Sequence, residues 1–164
     1  MPRVWVSIGS NVDRERSIRG AVRLLRERFG PLLLSPVYES EAVGFEGHPF
    51  LNLVAGFDAE KPVGEIDRIL RRIEDAFGRE RGPEKFAPRT LDIDLLTYGD
   101  RVGLIDRCEI PRDEILRYAF VLAPLAEIAG EDRHPVAKKS YRDLWDLFAG
   151  EREGVVPVPF DWEA

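Results

Sequence analysis

Pro88-Arg89-Thr90-Leu91-Asp92-Ile93-Asp94-Leu95-Leu96 combines a strand-forming run with two carboxylates spaced two residues apart. Side chains at i and i+2 of a strand point to the same face, roughly 6.5–7 Å apart. Asp92 and Asp94 can therefore reach one hard cation or bracket a pair of cations. The alternative is the solvated face of an ordinary strand. However, Asp is depleted in strands, and like charges on one face repel each other unless a cation lies between them.

A basic segment precedes this strand. Gly82, Pro83 and Pro88 interrupt it, which predicts a mobile loop. Protein-bound Mg²⁺ is usually held by one or two carboxylates together with phosphate oxygens, to which arginine and lysine donate hydrogen bonds. The segment therefore predicts a site for a metal-bound polyphosphate, with local salt bridges to Glu80 and Glu84 as the alternative. Its cationic residues are Arg79, Arg81, Lys85 and Arg89.

The composition limits the classes of protein that the chain can belong to. Its 164 residues, 44% hydrophobic and 33% charged, predict one globular domain, with a core over about 2–129 and a C-terminal helix and tail over 130–164. The 24 basic and 30 acidic residues give a net charge of −6, which argues against nucleic-acid binding. The only cysteine, Cys108, forms no internal disulfide, and with two histidines it cannot build a zinc site.

The apolar stretches are too short for a membrane protein. The first apolar run reaches Gly9 before a secretory signal could form. The longest one, 118–126, contains Pro124 and falls short of the roughly 18 residues that a membrane span needs. We therefore expect a cytoplasmic monomer that does not associate with membranes.

Hydrophobic periodicity predicts the order strand, helix, strand, strand, helix, strand. This order is that of the ferredoxin-like βαββαβ unit, an α+β fold whose antiparallel sheet carries both helices on one face and leaves the other for ligand. A hairpin, a helical turn, a helix, a linker and a last helix from Ser140 to Phe148 follow, whereas the tail 151–164 shows no clear period. The predicted strands cover 4–8, 32–40, 50–57 and 91–98, the helices 14–29, 63–77 and 119–129, the hairpin 101–110, the turn 113–118 and the linker 130–139.

Several stretches of the chain, in this order, resemble the 6-hydroxymethyl-7,8-dihydropterin pyrophosphokinase family. The resemblance runs from about residue 4 to Ala129, and the stretch from Pro88 to Asp94 is its most specific part. It rests on Val6-Ser7-Ile8-Gly9-Ser10-Asn11, Tyr38, Phe50-Leu51-Asn52, Arg72-Ile73-Glu74 and Pro88-Arg89-Thr90-Leu91-Asp92-Ile93-Asp94.

The resemblance implies a reaction of folate biosynthesis. Mg-ATP would donate its β,γ-pyrophosphoryl group to the hydroxymethyl oxygen of the dihydropterin and leave as AMP. Asp92 and Asp94 match the aspartates that hold two Mg²⁺ ions, and Arg81 and Arg89 match the direct phosphate contacts. For Glu74 the alternative is a surface ion pair with Arg71 or Arg72. The residues that match the ATP side are Glu74, Arg79, Arg81, Lys85 and Arg89.

The resemblance also implies a pterin site. Asn52 matches the amide that bonds the ring, and Phe120 matches a stacking aromatic, while Phe50 stands where a tyrosine is usual. Core packing is the alternative for both phenylalanines. Ser40 and Val43 would offer backbone groups to the ring. Phe86 in the basic loop, where the family often has tryptophan, predicts a lid.

Two departures from the family pattern affect the ATP site. Arg112 replaces the usual histidine of Ile-Pro-His, and Tyr118 replaces an arginine. Arg112 and the neighbouring Arg117 are therefore assigned to the ATP phosphates. A non-catalytic paralogue that binds pterin or nucleotide stays open as an alternative, as does a regulatory ferredoxin-like module without a nucleotide.

Overall fold

A computed structural model describes residues 1–40, 49–77, 91–152 and 154–163. Within these ranges no helix is long and apolar enough to cross a membrane. The helices and strands are, in chain order, β1 (Arg3–Ser10), α1 (Arg14–Phe29), β2 (Leu33–Leu34), β3 (Val37–Ser40), β4 (Phe50–Asp58), α2 (Val63–Ala76), β5 (Asp92–Tyr98), β6 (Gly103–Ile105), β7 (Cys108–Ile110), α3 (Glu114–Arg117), α4 (Ala119–Ala129), α5 (Tyr141–Asp146) and β8 (Val156–Val158).

One antiparallel sheet organises the chain. In the described ranges its strands lie in the order β5-β1-β4-β3-β8, and the short β2 also pairs with β4. The two central strands, β1 and β4, are buried along nearly their whole length because both of their faces are covered. The strand order confirms the predicted α+β ferredoxin-like fold. β6 and β7 form the separate hairpin predicted over 101–110.

The helices α1 and α2 pack against one face of the sheet. Their apolar residues recur at steps of three and four, so each helix presents one buried stripe to the strands. Each fully buried Leu or Ile contributes roughly 1.5–3 kcal/mol through burial. The shared core includes Ile18, Ala21 and Leu25 of α1, Ile66, Leu70 and Ile73 of α2, and Val4, Val6 and Ile8 of β1.

The opposite face is partly covered, which corrects the prediction that it is left for ligand. Trp5, Val54 and Leu96 on this face form a second core with residues of α4 and α5, among them Leu122 and Tyr141. The reason is that α4 is apolar on nearly every side and must be buried all round. Among the described residues, this second core does not include Gly9, Asn52 or Asp92, so we refer to the part of the face nearest the start of β5 as its open part.

The strand predicted over 32–40 is divided into β2 and β3. Between them Ser35 bonds to β4 twice: its backbone N–H donates to the Val54 carbonyl at 2.9 Å, and its hydroxyl accepts from the Val54 N–H at 2.9 Å. Pro36 follows and has no N–H to continue the ladder. At this point the Ser35 hydroxyl accepts the Val54 N–H, a hydrogen bond that a backbone carbonyl would accept in a regular strand pair.

The C-terminal region is more ordered than predicted. Segment 130–139, predicted as a linker, folds around the buried His134. Ser140 caps α5 as predicted, accepting the Asp143 N–H at 3.1 Å, but the helix ends at Asp146 rather than Phe148. The tail, which had no predicted structure, adds β8 to the sheet beside β3.

Candidate active site

A row of four residues crosses the open part of the sheet. Tyr38 pairs with Asn52, Asn52 with Gly9, and Gly9 with Asp92. Residues that pair directly across antiparallel strands share one face of the sheet, and neighbouring strands lie ≈ 4.7–4.9 Å apart. The predicted pterin amide and a predicted metal carboxylate therefore lie on one face, their backbones roughly 10 Å apart, with only a glycine between them.

Gly9 leaves space for the Asn52 side chain. A methyl group at Gly9 would lie 2.7 Å from Asn52 Oδ1, closer than ordinary contact distance. Asn52 is buried, and its Nδ2 donates to Ser40 Oγ at 2.8 Å. Asn52 and Ser40, both predicted as pterin residues, are thus hydrogen-bonded to each other, and the Asn52 amide lies over Gly9.

Asp94 follows Asp92 on the same face of β5 and lies between two arginines. Its Oδ1 is 3.7 Å from Arg112 Nη2 and 3.9 Å from Arg71 Nη2. Burial raises the pKa of the Asp94 carboxyl above its ordinary value, against the opposing effect of Arg112. The negative charges of Glu114 and Asp92 raise this pKa further, and Arg71 lowers it. A divalent cation would favour the charged form of such a carboxylate.

The backbone between the two aspartates is bonded to α2. The Ile93 N–H donates to Glu74 Oε2 at 2.8 Å, and the Ile93 carbonyl accepts from Arg71 Nη2. Glu74 is only 1% exposed, and its Oε1 accepts from Arg71 Nη1 at 2.7 Å. The ion pair with Arg71 considered for Glu74 is present, but its Glu74 end is buried while the Arg71 side chain is partly exposed. The predicted contact between Glu74 and ATP stays a prediction.

Arg112 adjoins the carboxylates, in keeping with its assignment to the ATP side. Its backbone N–H donates to the Leu96 carbonyl at 2.9 Å, which holds the segment after β7 along β5. Its Nη2 bonds to Glu114 Oε1 at 2.9 Å. Its Nε is buried and has no acceptor within the described residues.

The second replaced position, Tyr118, stacks on Phe120. The two ring centroids are 5.0 Å apart and the ring planes differ by 17°. The guanidinium of Arg117 lies 5.2 Å from the centre of the Tyr118 ring, and its Nη1 bonds to Asp113 Oδ2 at 3.2 Å. Arg117 is therefore held along α3 by Asp113 and Tyr118. Phe120 itself is half-buried at the edge of the second core.

The structure leaves part of the predicted site undescribed. Phe50 is half-buried at the start of β4, paired with Ser40. The predictions on the basic loop, its lid residue and one pterin contact stay predictions, since those residues lie outside the described ranges. They are Val43, Arg79, Arg81, Lys85, Phe86 and Arg89.

A cleft of about 440 Å³ opens beside the two aspartates. It contains charged residues that sequence reasoning did not assign to the site. A sequence signal did exist for Arg71, because it lies three residues before Glu74 and so on the same side of α2. Those for which no role was predicted are Asp67, Arg71, Arg107 and Glu109.

The residues present fit Mg²⁺. In the described part of the chain, no three His, Cys, Asp or Glu side chains are grouped so that they could hold a metal ion by themselves. Asp92 and Asp94 are partly buried carboxylates on one face. Mg²⁺ suits such a pair, since it takes one or two protein carboxylates and completes its shell with phosphate oxygens and water.

Comparison with known proteins points to one family. The family model for 7,8-dihydro-6-hydroxymethylpterin-pyrophosphokinase matches residues 5–130. A 2-amino-4-hydroxy-6-hydroxymethyldihydropteridine pyrophosphokinase of Pseudomonas aeruginosa is 35% identical over 96% of this chain and 97% of its own length. One of Aquifex aeolicus is 33% identical over 88% of this chain and 91% of its own.

Longer proteins match as well. The folate synthesis bifunctional protein of Arabidopsis thaliana is 36% identical over 79% of this chain, which spans only 27% of that protein. The crystal structure of Plasmodium falciparum HPPK-DHPS superposes with a TM-score of 0.69 at 13% identity, covering 90% of this chain and 44% of the other, and this likeness bears on the fold alone. The family model and the relatives matched over nearly their whole length agree with the resemblance seen in the sequence. The chain belongs to the 7,8-dihydro-6-hydroxymethylpterin-pyrophosphokinase family.

Proposed function

We propose that this chain transfers the β,γ-pyrophosphoryl group of ATP to the hydroxymethyl group of 6-hydroxymethyl-7,8-dihydropterin in folate biosynthesis. The products are AMP and the dihydropterin diphosphate. The observation that carries the proposal is the row across the sheet that sets Asn52 and Asp92 on either side of Gly9, in a chain of this family. A group for a heterocyclic ring and a group for a metal-bound phosphate then face the same space.

The chemistry needs alignment more than a strong base. The hydroxymethyl oxygen attacks the β-phosphorus, the bond from that phosphorus to the α,β-bridging oxygen breaks, and AMP leaves with the electron pair while the hydroxyl proton passes to solvent. Phosphorus transfer through a loose transition state depends on in-line positioning and on neutralised oxygens. The carboxylates and arginines around Asp94 suit that task.

The ATP side is assigned around β5. Asp92 and Asp94 would hold Mg²⁺, with two ions expected. When bound, Mg²⁺ neutralises charge on the phosphate oxygens and helps to align them. Arg112 would donate to a phosphate, since its partly exposed guanidinium lines the cleft and its Nη2 lies 3.7 Å from Asp94 Oδ1. The other residues that we assign to the ATP side are Glu74, Arg79, Arg81, Lys85, Arg89 and Arg117. Of these, Glu74 would serve the ATP side through its hydrogen bond to the Ile93 N–H on β5.

The pterin side is assigned around Asn52. Its amide offers both a donor and an acceptor to the edge of the ring. Phe120 would stack on the pterin ring, and the stacking of Tyr118 against the Phe120 ring would hold that ring in place. Ser40, Val43 and Phe50 complete the proposed pterin contacts. A single domain across residues 1–164, a monomeric state and a cytoplasmic location belong to the same proposal.

Release of AMP from ATP by the purified protein tests the function. We expect AMP only when Mg²⁺ and 6-hydroxymethyl-7,8-dihydropterin are both present, with loss of AMP release when EDTA is added. AMP release that ignores the pterin would contradict the proposed acceptor. No AMP from a folded protein that still binds the pterin would favour the non-catalytic paralogue and point to Arg112 and Tyr118, the two departures from the family pattern.

A further inference from the structure

β5, the strand that carries both aspartates, lies at the end of the sheet order, and among the described strands it pairs with β1 alone. The outward backbone groups of such an edge strand need other partners. At Ile93, between Asp92 and Asp94, these partners are Glu74 Oε2 for the N–H and Arg71 Nη2 for the carbonyl. One peptide region between the aspartates is thus held at two points.

The two partners also bond to each other. Arg71 Nη1 and Glu74 Oε1 are 2.7 Å apart, and Glu74 is 1% exposed. Removing the Glu74 carboxylate from water carries a desolvation cost, which is recovered only with good geometry and further hydrogen bonds. Here the further hydrogen bonds are those to Ile93. The pair is therefore a rigid clamp from α2 onto β5.

The clamp also faces the candidate metal site. The same Arg71 Nη2 that bonds to the Ile93 carbonyl lies 3.9 Å from Asp94 Oδ1. Arg71 also lines the cleft that contains both aspartates. A displacement of Arg71 would therefore shift the strand backbone and remove a positive charge beside Asp94 in one event.

We propose that Arg71 and Glu74 are positioning residues that fix the spacing of Asp92 and Asp94 for metal binding. This inference rests on the proposed function, because the metal is the Mg²⁺ of Mg-ATP. It assigns Glu74 a task in the site that does not require it to touch ATP. Groups that orient metal ligands typically change metal affinity by 10–100-fold when they are altered.

Two conservative variants test the clamp. Glu74→Gln keeps the shape and an acceptor for the Ile93 N–H but removes the nearest of the charges that hold Arg71, the others among the described residues being those of Asp67 and Asp94. Arg71→Lys keeps a positive charge, but an ammonium cannot reproduce the planar fork that bonds Glu74 and Ile93 together. Arg68→Lys is the matched control, since Arg68 lies one turn earlier on α2 and is exposed.

The first readouts do not depend on turnover. Binding of Mn²⁺ is measured by electron paramagnetic resonance with saturating α,β-methylene ATP, whose α,β-bridge cannot be broken. Exchange of the Ile93 amide hydrogen is measured by NMR. We expect each clamp variant to bind Mn²⁺ about 10-fold more weakly and to exchange this amide about 10-fold faster, and Arg68→Lys to match the wild type.

Kinetics separate this role from direct ATP binding. We expect kcat to fall about as much as Mn²⁺ affinity, with the KM for ATP changed less than about 3-fold. Weaker binding of the ATP analogue with unchanged Mn²⁺ affinity and Ile93 exchange would overturn the inference and make Glu74 an ATP ligand. Faster exchange throughout β5 and β1 with normal Mn²⁺ affinity would reduce the pair to a structural role and also overturn it.

The same experiments distinguish failure of the inference from failure of the proposed function. If the wild type binds Mn²⁺ but forms no AMP, the proposed function fails, and the inference still stands or falls on the Mn²⁺ affinities of the variants. If the wild type binds no Mn²⁺ with the analogue present, the inference is wrong whatever the rate of AMP formation.

Discussion

At Asp94, replacing one carboxylate oxygen with an amide nitrogen changes the charge of the site with almost no change in shape. We expect Asp94→Asn to lower kcat by about 100-fold or more, equal to roughly 2.7 kcal/mol, because a neutral amide binds Mg²⁺ poorly. The fold should persist, since Arg71 and Arg112 keep their bonds to Glu74 and Glu114. Steady-state AMP formation measures the effect.

The control for this variant is Asp100→Asn, an exposed position just beyond β5, which should keep wild-type turnover. Circular dichroism of both variants verifies that they are folded. Near-normal turnover in Asp94→Asn would contradict the assignment of this residue to the metal.

Gly9→Ala tests the row across the sheet. The new methyl group would meet Asn52 Oδ1 at 2.7 Å and push the amide out of position. We expect the KM for the pterin to rise about 10-fold and the free energy of unfolding to fall by about 1–3 kcal/mol. If the effect passes through the amide, Gly9→Ala should add little to the pterin KM in an Asn52→Ala background. Full additivity of the two changes would contradict this account.

Tyr118→Leu tests the aromatic stack. Removing the ring that lies 5.0 Å from Phe120 forfeits a contact worth about 0.5–1.5 kcal/mol and frees Phe120 to move. We expect pterin binding, measured by calorimetry, to weaken by about 2- to 10-fold while binding of the ATP analogue stays within about 2-fold. Tyr118→Phe, which keeps the ring, serves as the control. A loss of ATP affinity alone would place this residue on the nucleotide side.

At the scale of single residues, the sequence predicted which side chains belong to the site better than it predicted which residues they contact. Spacing along β5 was enough to place Asp92 and Asp94 on one face, because strand geometry is local. The role of Arg71 was missed, since its contact with Ile93 joins positions 22 residues apart that the fold alone brings together. For Glu74, the surface ion pair that the sequence left open as an alternative named Arg71 as a partner, but the burial of Glu74 and its bond to Ile93 depend on the fold in the same way.

Among the elements, the periodic helices were predicted closely, whereas the short strand β8 was not predicted. α1 and α2 have regular apolar stripes whose burial is visible in a short window. β8 shows no period because it has only three residues and contains Pro157. It becomes a strand through pairing with β3, more than 100 positions away in the chain.

This pairing leads to a prediction for the tail. Phe160 and Trp162 pack against the main core, and β8 covers the outer side of β3, the strand that carries Tyr38 and Ser40. Truncation after Gly154 should lower the free energy of unfolding by roughly 2–3 kcal/mol, mostly from the two half-buried aromatic rings. Urea denaturation measures it, with truncation after Trp162 as the control. Equal stability of both truncated proteins would contradict a structural role for the tail.

For the whole molecule, element order was sufficient to predict the ferredoxin-like unit but not which part of its second face is open. In the described part of the chain, α4 and α5 determine this, because they bury Trp5 and Val54 and their core does not extend to the end of the sheet near Asp92. An apolar helix can be recognised from sequence, whereas the face that it will cover depends on how the chain returns after β7. The ligand site is therefore defined as much by the C-terminal helices as by the strands that supply its residues.

Stability of the whole molecule should depend on pH through His134. Its imidazole is 3% exposed, and Nδ1 accepts the N–H groups of Val136 at 3.2 Å and Ala137 at 3.0 Å, so the folded state needs the neutral ring. Burial lowers the pKa of His134 below its ordinary value. The unfolded chain therefore binds the proton first as pH falls, and the stability contributed by this residue is complete above pH about 6.5 and lost below it.

His134→Asn isolates this contribution, because Asn keeps an acceptor near the position of Nδ1 but does not titrate. Free energies of unfolding from urea denaturation are compared for the two proteins at pH values of about 7.5, 6.5 and 5.5. Since the carboxylates titrate in both proteins, their effect cancels in the difference. We expect the wild type to lose its advantage below pH about 6.5, by at most about 1.4 kcal/mol per pH unit for one proton. Parallel pH profiles would show that the ring is protonated without cost, and the neutral acceptor role of His134 would then be wrong.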